Sequence, residues 1–451
     1  MTTRPTPTGR APEAGPVGPV APVGPVTRLT PVGVPRADRA RRRRPPRRIA
    51  AVAAGLGLAG SILLTGCVAG GADETSGAPA SCAPTPGVTS GAVSFGALYP
   101  DTGSGSPLSR AFRAGIDARL GVVNAAGGVE GRQVRYDWRD DESTSDGALR
   151  GARLLVDRDQ VFAIVGTSGI AAEAVSYLAE RGVPTIGQDL TASGDNAFGY
   201  SNVLGGQLGN SVFGVFARAH GATRAVLLRT DQIPASGQID ERIGHSLRAG
   251  SVEVVDTIDW TPTGFDLNAA AARVRAANAD MITGVVPPQA LADVATAARQ
   301  AGATVKVVMV PIGYDPGLLD RRPQGLAGSF FLVDFVPFEA GTPAHKRYLD
   351  AMSRYAPQIE RREQTTGLVG WMTADLFLRG LAEAGPCPTR AGYIAALRKV
   401  ADYDADGLLP RPVDLAVKSS PTACVSVVRV SPAADAFQVQ MPMALCGEAL
   451  S

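Results

Sequence analysis

Beginning at Ala92, short apolar runs and amphipathic stretches alternate without interruption, and this alternation constrains the fold more than any other feature of the chain. AVSFGALYP reads as a buried strand, DTGSGS as its loop, and Ser106-Pro107 as the N-cap and first residue of a helix. Leu108, Phe112, Ile116, Leu120 and Val123 recur at helical spacing, and NAAGG supplies glycines suited to a left-handed cap. QVRYDWRDDES gives the second strand and its loop, Asp146 stands to cap GALRGARLLVDRD, and VFAIVG is the third strand. TSGIAAEAVSYLAERG and VPTIG follow as helix and strand. Parallel strands need a long crossover between them, so a β-α-β-α-β series implies a parallel, doubly wound sheet.

The alternation restarts after a linker at about Ser201 to Gly209. SVFGVFARAHG, SGQIDERIGHSLRAG, LNAAAARVRAANA and QALADVATAARQAG read as helices, interleaved with strands AVLLRT, VEVVDTIDW, MITGVV and VKVVMV. Two consecutive α/β units of similar size make two Rossmann-like lobes. Past FFLVDFVPF, helical stretches return over His345 to Tyr355, Thr366 to Ala384 and Arg390 to Val400. Trp371 and Phe377 lie on an apolar helix and are assigned to the core. Two β-like runs, Val425 to Val430 and Phe437 to Met441, close the chain as a hairpin around SPAADA.

With 451 residues, 45% apolar and 19% charged, the chain has room for two ordinary domains. Its net charge of +2 comes from the basic run Arg41 to Arg48, so the remainder is mildly acidic and nucleic acid is not an expected partner. Residues 1–48 are Pro-rich, then basic, and cannot bury a core; a translation start further downstream would suit them. The basic run leads into the apolar IAAVAAGLGLAGSILLTGC, residues 49–67. Leu64-Thr65-Gly66-Cys67 resembles the lipobox of bacterial lipoproteins, which implies cleavage before Cys67 and a lipid on its sulfur. An uncleaved anchor is the alternative; Gly55, Gly57 and Gly60 make the run a poor permanent span. Residues 67–90 then form a Gly/Ala/Ser/Pro tether.

On either reading the chain from Val68 onward lies outside the cytoplasm, where thiols pair. Cys82, Cys387, Cys424 and Cys446 allow three connectivities. A closing hairpin brings its flanks together, which favours Cys424–Cys446 and, by elimination, Cys82–Cys387. No CxxC or Cys-His spacing points to zinc.

The segment GALYPDTGSGSPLSRAFRAGIDARLGVVNAAGGVEGRQVRYDWRDDES resembles the first unit of type I periplasmic binding proteins. Its closest class is the branched-chain amino acid (leucine/isoleucine/valine) substrate-binding proteins of ABC importers. VFAIVGTSG and RGVPTIGQDLT match the next two units, and the resemblance runs from about Ala92 to Gln440. It implies two lobes, residues 91–205 with 339–412 and residues 206–338 with 413–451, joined by three crossovers. These fall near Ser201–Gly209, Asp334–Phe338 and Leu409–Val417. A ligand would sit between the lobes.

In open parallel sheets, ligands bind outside the carboxyl ends of the strands. Ser106 in the loop after the first strand is therefore a candidate contact. In the family, the loops matching Ser168-Gly169 and Leu190-Thr191 hold an amino-acid head group through backbone and hydroxyl groups. The second lobe departs from the pattern. Asp231 to Pro234 replaces an aromatic residue, Val285-Val286-Pro287 occupies a tyrosine turn, and Pro311 to Asp315 stands where a carboxylate meets the ligand ammonium. Val286, Tyr314 and Asp315 complete the candidate set, with Asp315 as a shifted carboxylate and Tyr314 as a packing wall. Without such a partner a buried ammonium is costly, so a less charged small ligand is favoured over an α-amino acid.

Other signals carry less. Asp140-Asp141-Glu142 reads as a solvated turn, since no calcium-loop pattern completes it. GTSGI fails the nucleophile-elbow order at Ile170, and His220, His245 and His345 stand alone. No metal, cofactor or catalytic role is expected. The expected function is a monomeric, lipid-anchored solute receptor on the outer face of the cell membrane, delivering a small ligand to ABC permease subunits. The alternative is a sensory module of the same fold acting through a membrane partner.

Overall fold

The computed structural model describes residues 82–450 other than 104–105, 107–110, 168–171, 189–193, 202–207, 234–235 and 417–421. β1 (Ala92–Tyr99) and β2 (Gln133–Asp140) pair in parallel over their whole length. They join β3 (Ile164–Gly166), β4 (Thr185–Gly187) and β5 (Ala197–Gly199) in an all-parallel sheet of order β2-β1-β3-β4-β5. β1 is apolar on both faces because both are covered: Phe95 and Tyr99 join one core cluster and Leu98 another. β5 is too short for its periodicity to be read in the sequence.

Helix α1 (Phe112–Ala125) buries Phe112, Ile116 and Leu120 and ends, as anticipated, at Gly127 and Gly128 with φ of 102° and 83°. A Cβ on Gly128 would lie 1.9 Å from the Arg132 carbonyl oxygen, so this turn requires glycine. Helix α2 (Ser145–Arg153) corrects one expectation. Its N-cap is Thr144, whose side chain accepts from the Gly147 N–H, while Asp146 lies within the first turn. Thr144 is the last extended residue (φ −131°, ψ 149°), and only a residue outside the helix can turn its oxygen back on the free N–H groups. Helix α3 (Ala172–Glu180) completes this layer.

The second sheet has the order β12-β11-β10-β9-β8-β6-β7, with β13 on β11. Five of its strands are parallel: β6 (Arg224–Arg229), β7 (Glu253–Asp259), β8 (Met281–Thr283), β9 (Val307–Val310) and β10 (Phe330–Val333). Helices α4 (Val212–Ala219), α5 (Ser236–Ala249), α6 (Leu267–Ala276) and α7 (Pro288–Gln300) connect or flank them. β11 (Thr422–Val430) and β12 (Phe437–Val439) form the expected antiparallel hairpin, and β13 (Leu445–Glu448) pairs with the start of β11.

Between β10 and β11 the chain returns to the first sheet as α8 (Pro343–Tyr355), α9 (Thr365–Ala384) and α10 (Arg390–Leu397). α9 crosses α1 with backbones almost touching. A Cβ on Gly115 would lie 1.9 Å from the Gly367 carbonyl oxygen, and one on Gly370 would lie 2.0 Å from that of Phe112. Trp371 and Phe377 are buried, as expected. The half-buried Arg390 and Arg398 act as donors, to the carbonyls of Val161 and Phe162 and to those of Asp195, Ala197 and Leu415. The chain thus passes between the two sheets three times, after β5, after β10 and after α10.

Both disulfides form with the expected partners, Cys82–Cys387 and Cys424–Cys446. Cys424 and Cys446 face each other across the β11–β13 ladder rather than at the ends of the β11–β12 hairpin. Among the described residues no helix is long and apolar enough to cross a membrane; residues 49–67, with Cys67, lie outside them.

Candidate ligand-binding site

The carboxyl ends of the parallel strands in each sheet release the loops that position a site. After β1, the loop Asp101–Gly103 hangs on one carboxylate at the end of β2. Asp140 accepts the N–H groups of Asp101 (2.9 Å), Thr102 (3.2 Å) and Glu142 (2.8 Å), and the Thr102 hydroxyl at 2.5 Å. These bonds hold its carboxyl below the usual range against the effect of burial. Ser143 Oγ adds a bond to the Thr102 carbonyl at 2.9 Å. The acidic triplet is therefore not simply a solvated turn: Asp140 fixes two loops, and burial pushes Asp141 up to about 6. Ser106 is half-buried at the far end of the β1 loop.

Thr167 follows β3, and Ser168, Gly169, Leu190 and Thr191 lie outside the described residues. Gln188, directly after β4, is described and connects several elements. Its carbonyl accepts the N–H groups of Tyr200 and Ser201, and its Nε2 donates to Asp334 Oδ2 at 2.9 Å. Asp334 follows β10, so this bond spans the two sheets.

In the second sheet, Gly284 turns the chain after β8 with φ 138°; a Cβ there would meet the Leu228 carbonyl oxygen at 1.9 Å. Asp240 on α5 braces the same turn by accepting the Val285 N–H at 3.0 Å. Val286 is fully buried, in the cluster that also holds Tyr314. Tyr314, after β9, packs against Phe335 and Phe437, donates to Glu339 Oε2 at 2.6 Å and accepts the Phe338 N–H at 3.0 Å. Asp315 N-caps the short 3-10 turn Pro316–Leu319 through Gly317 N–H at 2.8 Å, and burial raises its carboxyl. Thr365 at the start of α9 donates to the Tyr314 carbonyl at 2.5 Å, and Arg361 pairs with Asp320.

The structure therefore brings Val286, Tyr314 and Asp315 into one neighbourhood, with Asp315 already engaged in capping, and places Ser106 on the other sheet's loops. Sequence reasoning assigned no bracing role to Asp140, Gln188, Asp240 or Asp334. Their type and position carried a signal, a lone polar residue at the end of an apolar strand or within a helix, but their partners lie far away in the chain. Among the described residues no cluster of His, Cys, Asp or Glu could hold a metal ion.

A profile of the family described as "Periplasmic binding protein" matches residues 92–436. Leu/Ile/Val-binding protein homolog 3 of Brucella melitensis is 26% identical over 198 residues, which is 42% of this chain and 53% of that protein. Homolog 8 of Brucella abortus is 40% identical over 96 residues, 20% of this chain and 23% of its own. The chain thus spans about half, or less, of the length of these relatives.

Among solved structures, a benzoate complex of an ABC transporter solute binding protein from R. palustris superposes with TM-score 0.63 at 17% identity, covering 80% of this chain and 98% of that one. A fatty acid ABC transporter substrate-binding protein from Thermomonospora curvata gives 0.64 at 20% identity, with 81% and 95% covered. A branched-chain amino acid transporter substrate binding protein from Streptococcus pneumoniae, in complex with isoleucine, gives 0.59 at 19%, with 78% and 100% covered. At such identities the likeness is one of fold. An all-parallel and a mixed sheet joined by three chain passages, matched along nearly the whole folded part by one family profile, place this chain in the periplasmic binding protein family.

Proposed function

We propose that this protein is an extracytoplasmic, lipid-anchored solute-binding protein that captures a small ligand between two lobes and passes it to an ABC importer. The observation that supports the reading is two sheets joined by three passages of the chain, with a bond from Gln188 after β4 to Asp334 after β10 running between them. The lobes are residues 91–205 with 339–412 and residues 206–338 with 413–451. Cys67 carries the lipid in this reading.

The ligand is a small molecule with a carboxylate or carbonyl at one end and an apolar body. Ser168 and Thr191 with their neighbouring N–H groups would meet the polar end. The buried Val286 turn supplies no charge to an ammonium, and Asp315 is occupied as a cap. The benzoate and fatty-acid proteins of the same fold set a precedent for such a ligand. Native mass spectrometry of the purified full chain tests the reading through a co-purified small molecule. Cys67→Ser should release the protein from membranes or block its processing; unchanged retention with unchanged processing rules out the lipid anchor.

A further inference from the structure

The last strand of the chain is held along both edges. On one edge β13 pairs with the start of β11 through Thr422–Glu448, Ala423–Gly447, Cys424–Cys446 and Val425–Leu445, and the second disulfide fixes that register covalently. On the other edge it meets the residues just before α4. The Ser211 N–H donates to the Glu448 carbonyl at 2.8 Å, the Glu448 N–H to Ser211 Oγ at 2.9 Å, and the Leu450 N–H to the Gly209 carbonyl at 3.0 Å. These bonds surround an antiparallel bridge between Asn210 and Ala449. Asn210 is buried, and its Oδ1 accepts the Val212 N–H at 2.9 Å. The fit is close: Gly447 is buried, and a Cβ on it would lie 2.2 Å from the Val212 nitrogen.

Both partners of β13 are ends of passages between the sheets. Gly209 to Ser211 close the first passage, after β5, and Thr422 opens the strand that follows the third, after α10. A hinge built from separate chain segments flexes in as many ways as those segments have independent ends, and tying two ends together removes that independence. We propose that the C-terminal segment Leu445–Leu450 is a strap that fixes the second-lobe ends of the first and third passages to each other, so that they bend as one hinge and hold the lobes within a narrow range of angles. The proposal rests on the two-lobe reading above and assigns control of the hinge to a segment that holds none of the candidate ligand contacts. Apparent affinity scales with the fraction of molecules at the binding-competent angle, so loosening the strap weakens capture without touching the ligand.

The test uses the purified full chain without ligand. Spin labels carried on non-natural amino acids, which leave both disulfides intact, replace the exposed Glu173 of the first lobe and Ala272 of the second, and electron–electron resonance reads the distance between them. Hydrogen exchange reads the Ser211 and Leu450 N–H groups, which donate across the contact. The unsubstituted chain should give one narrow distance. Gly447→Ala drives a methyl group into the Val212 backbone, so it should broaden that distance and speed exchange at both groups by about tenfold or more. Ser211→Ala removes only the acceptor for Glu448; it should act in the same direction and more weakly, and it decides the matter if Gly447→Ala does not fold. Gly237→Ala, where an added Cβ meets nothing within 4 Å, should change neither reading. The proposal is overturned by a distance already broad in the unsubstituted chain, by faster exchange with an unchanged distance, or by variants that alter neither. None of these readings involves a ligand, so they are separate from failure to find a co-purified molecule, which counts against the proposed function instead.

Discussion

Asp240 on α5 and Val285 in the turn after β8 are joined by a buried hydrogen bond of 3.0 Å, and the second carboxylate oxygen of Asp240 has no hydrogen-bond partner among the described residues. Burial, the largest effect on this group, pushes its carboxyl up to about 6, with the Val285 N–H opposing. A carboxyl raised in the folded state contributes stability that is complete below the unfolded value and is lost as pH rises through about 6. Asp141 works in the same direction. Asp240→Asn keeps an acceptor for Val285 and removes the ionisation, so it should be more stable than wild type at pH 7.5, by about 1–3 kcal/mol, and nearly equal to it at pH 4. Urea denaturation at the two pH values checks this; an equal gain at both would refute it.

His345 titrates with the opposite sign. It is buried, its Nε2 lies 2.9 Å from the Val336 carbonyl, and its Nδ1 accepts the Thr342 N–H in a capping box. Burial lowers its pKa, so its contribution is present above about 6.5 and is lost as pH falls below that value. Glutamine at the same position retains the capping box without a charge. His345→Gln should therefore become more stable on acidification from pH 7 to 5, as the buried carboxyls gain protons. Asp240→Asn should gain less stability than wild type over the same interval.

Asp140→Ala should loosen the loop after β1. Four donors lose one acceptor, and each exposed or half-exposed bond to a charged group contributes on the order of 1 kcal/mol. The expected result is a modest fall in melting temperature together with a faster dissociation rate for the cleft ligand. Hydrogen exchange at Asp101 and Thr102 reads the loop directly, and unchanged protection there would count against this role.

Reduction should remove both cross-links. Each typically contributes ~2–5 kcal/mol, so the reduced chain should melt at a lower temperature. Thiol titration of unfolded, unreduced protein should detect none of Cys82, Cys387, Cys424 or Cys446; four reactive thiols would contradict the pairing.

Calorimetry should find weak or no binding of leucine, isoleucine or valine and tighter binding of an uncharged or acidic small metabolite. A missing charge-assisted hydrogen bond costs ~1.5–3 kcal/mol, or roughly ten- to a hundredfold in affinity. Ser168→Ala and Thr191→Ala should each weaken the preferred ligand without unfolding the chain. Submicromolar leucine binding that disappears in Asp315→Ala would assign the ammonium to Asp315 and reverse the argument.

The alternating layers were legible because burial on both faces leaves a continuous apolar run such as AVSFGALY, and a helix on a sheet leaves a spaced stripe such as Phe112, Ile116 and Leu120. β5 was not legible, since AFG sits in the polar stretch SGDNAFGYSN with no apolar run to mark a strand. The cap of α2 was misplaced by two residues because Thr144 and Asp146 are both good capping types and only the backbone chooses between them. The site was harder to read. Asp140, Gln188 and Asp334 act through partners brought together by the sheets, and pairings such as Gln188–Asp334 leave no local pattern.

The bond between Cys82 and Cys387 joins residues 305 apart in sequence, so it encloses the parallel strands of both sheets. Cys82 precedes β1, and Cys387 lies in the turn between α9 and α10, of which α9 packs on β3 and β4 of the first sheet. Tension applied through the residues before Cys82 is therefore shared covalently with the helical layer and does not peel β1 from its neighbours. Mechanically, the entry of the chain into the first sheet and the helical layer that covers it form one cross-braced unit.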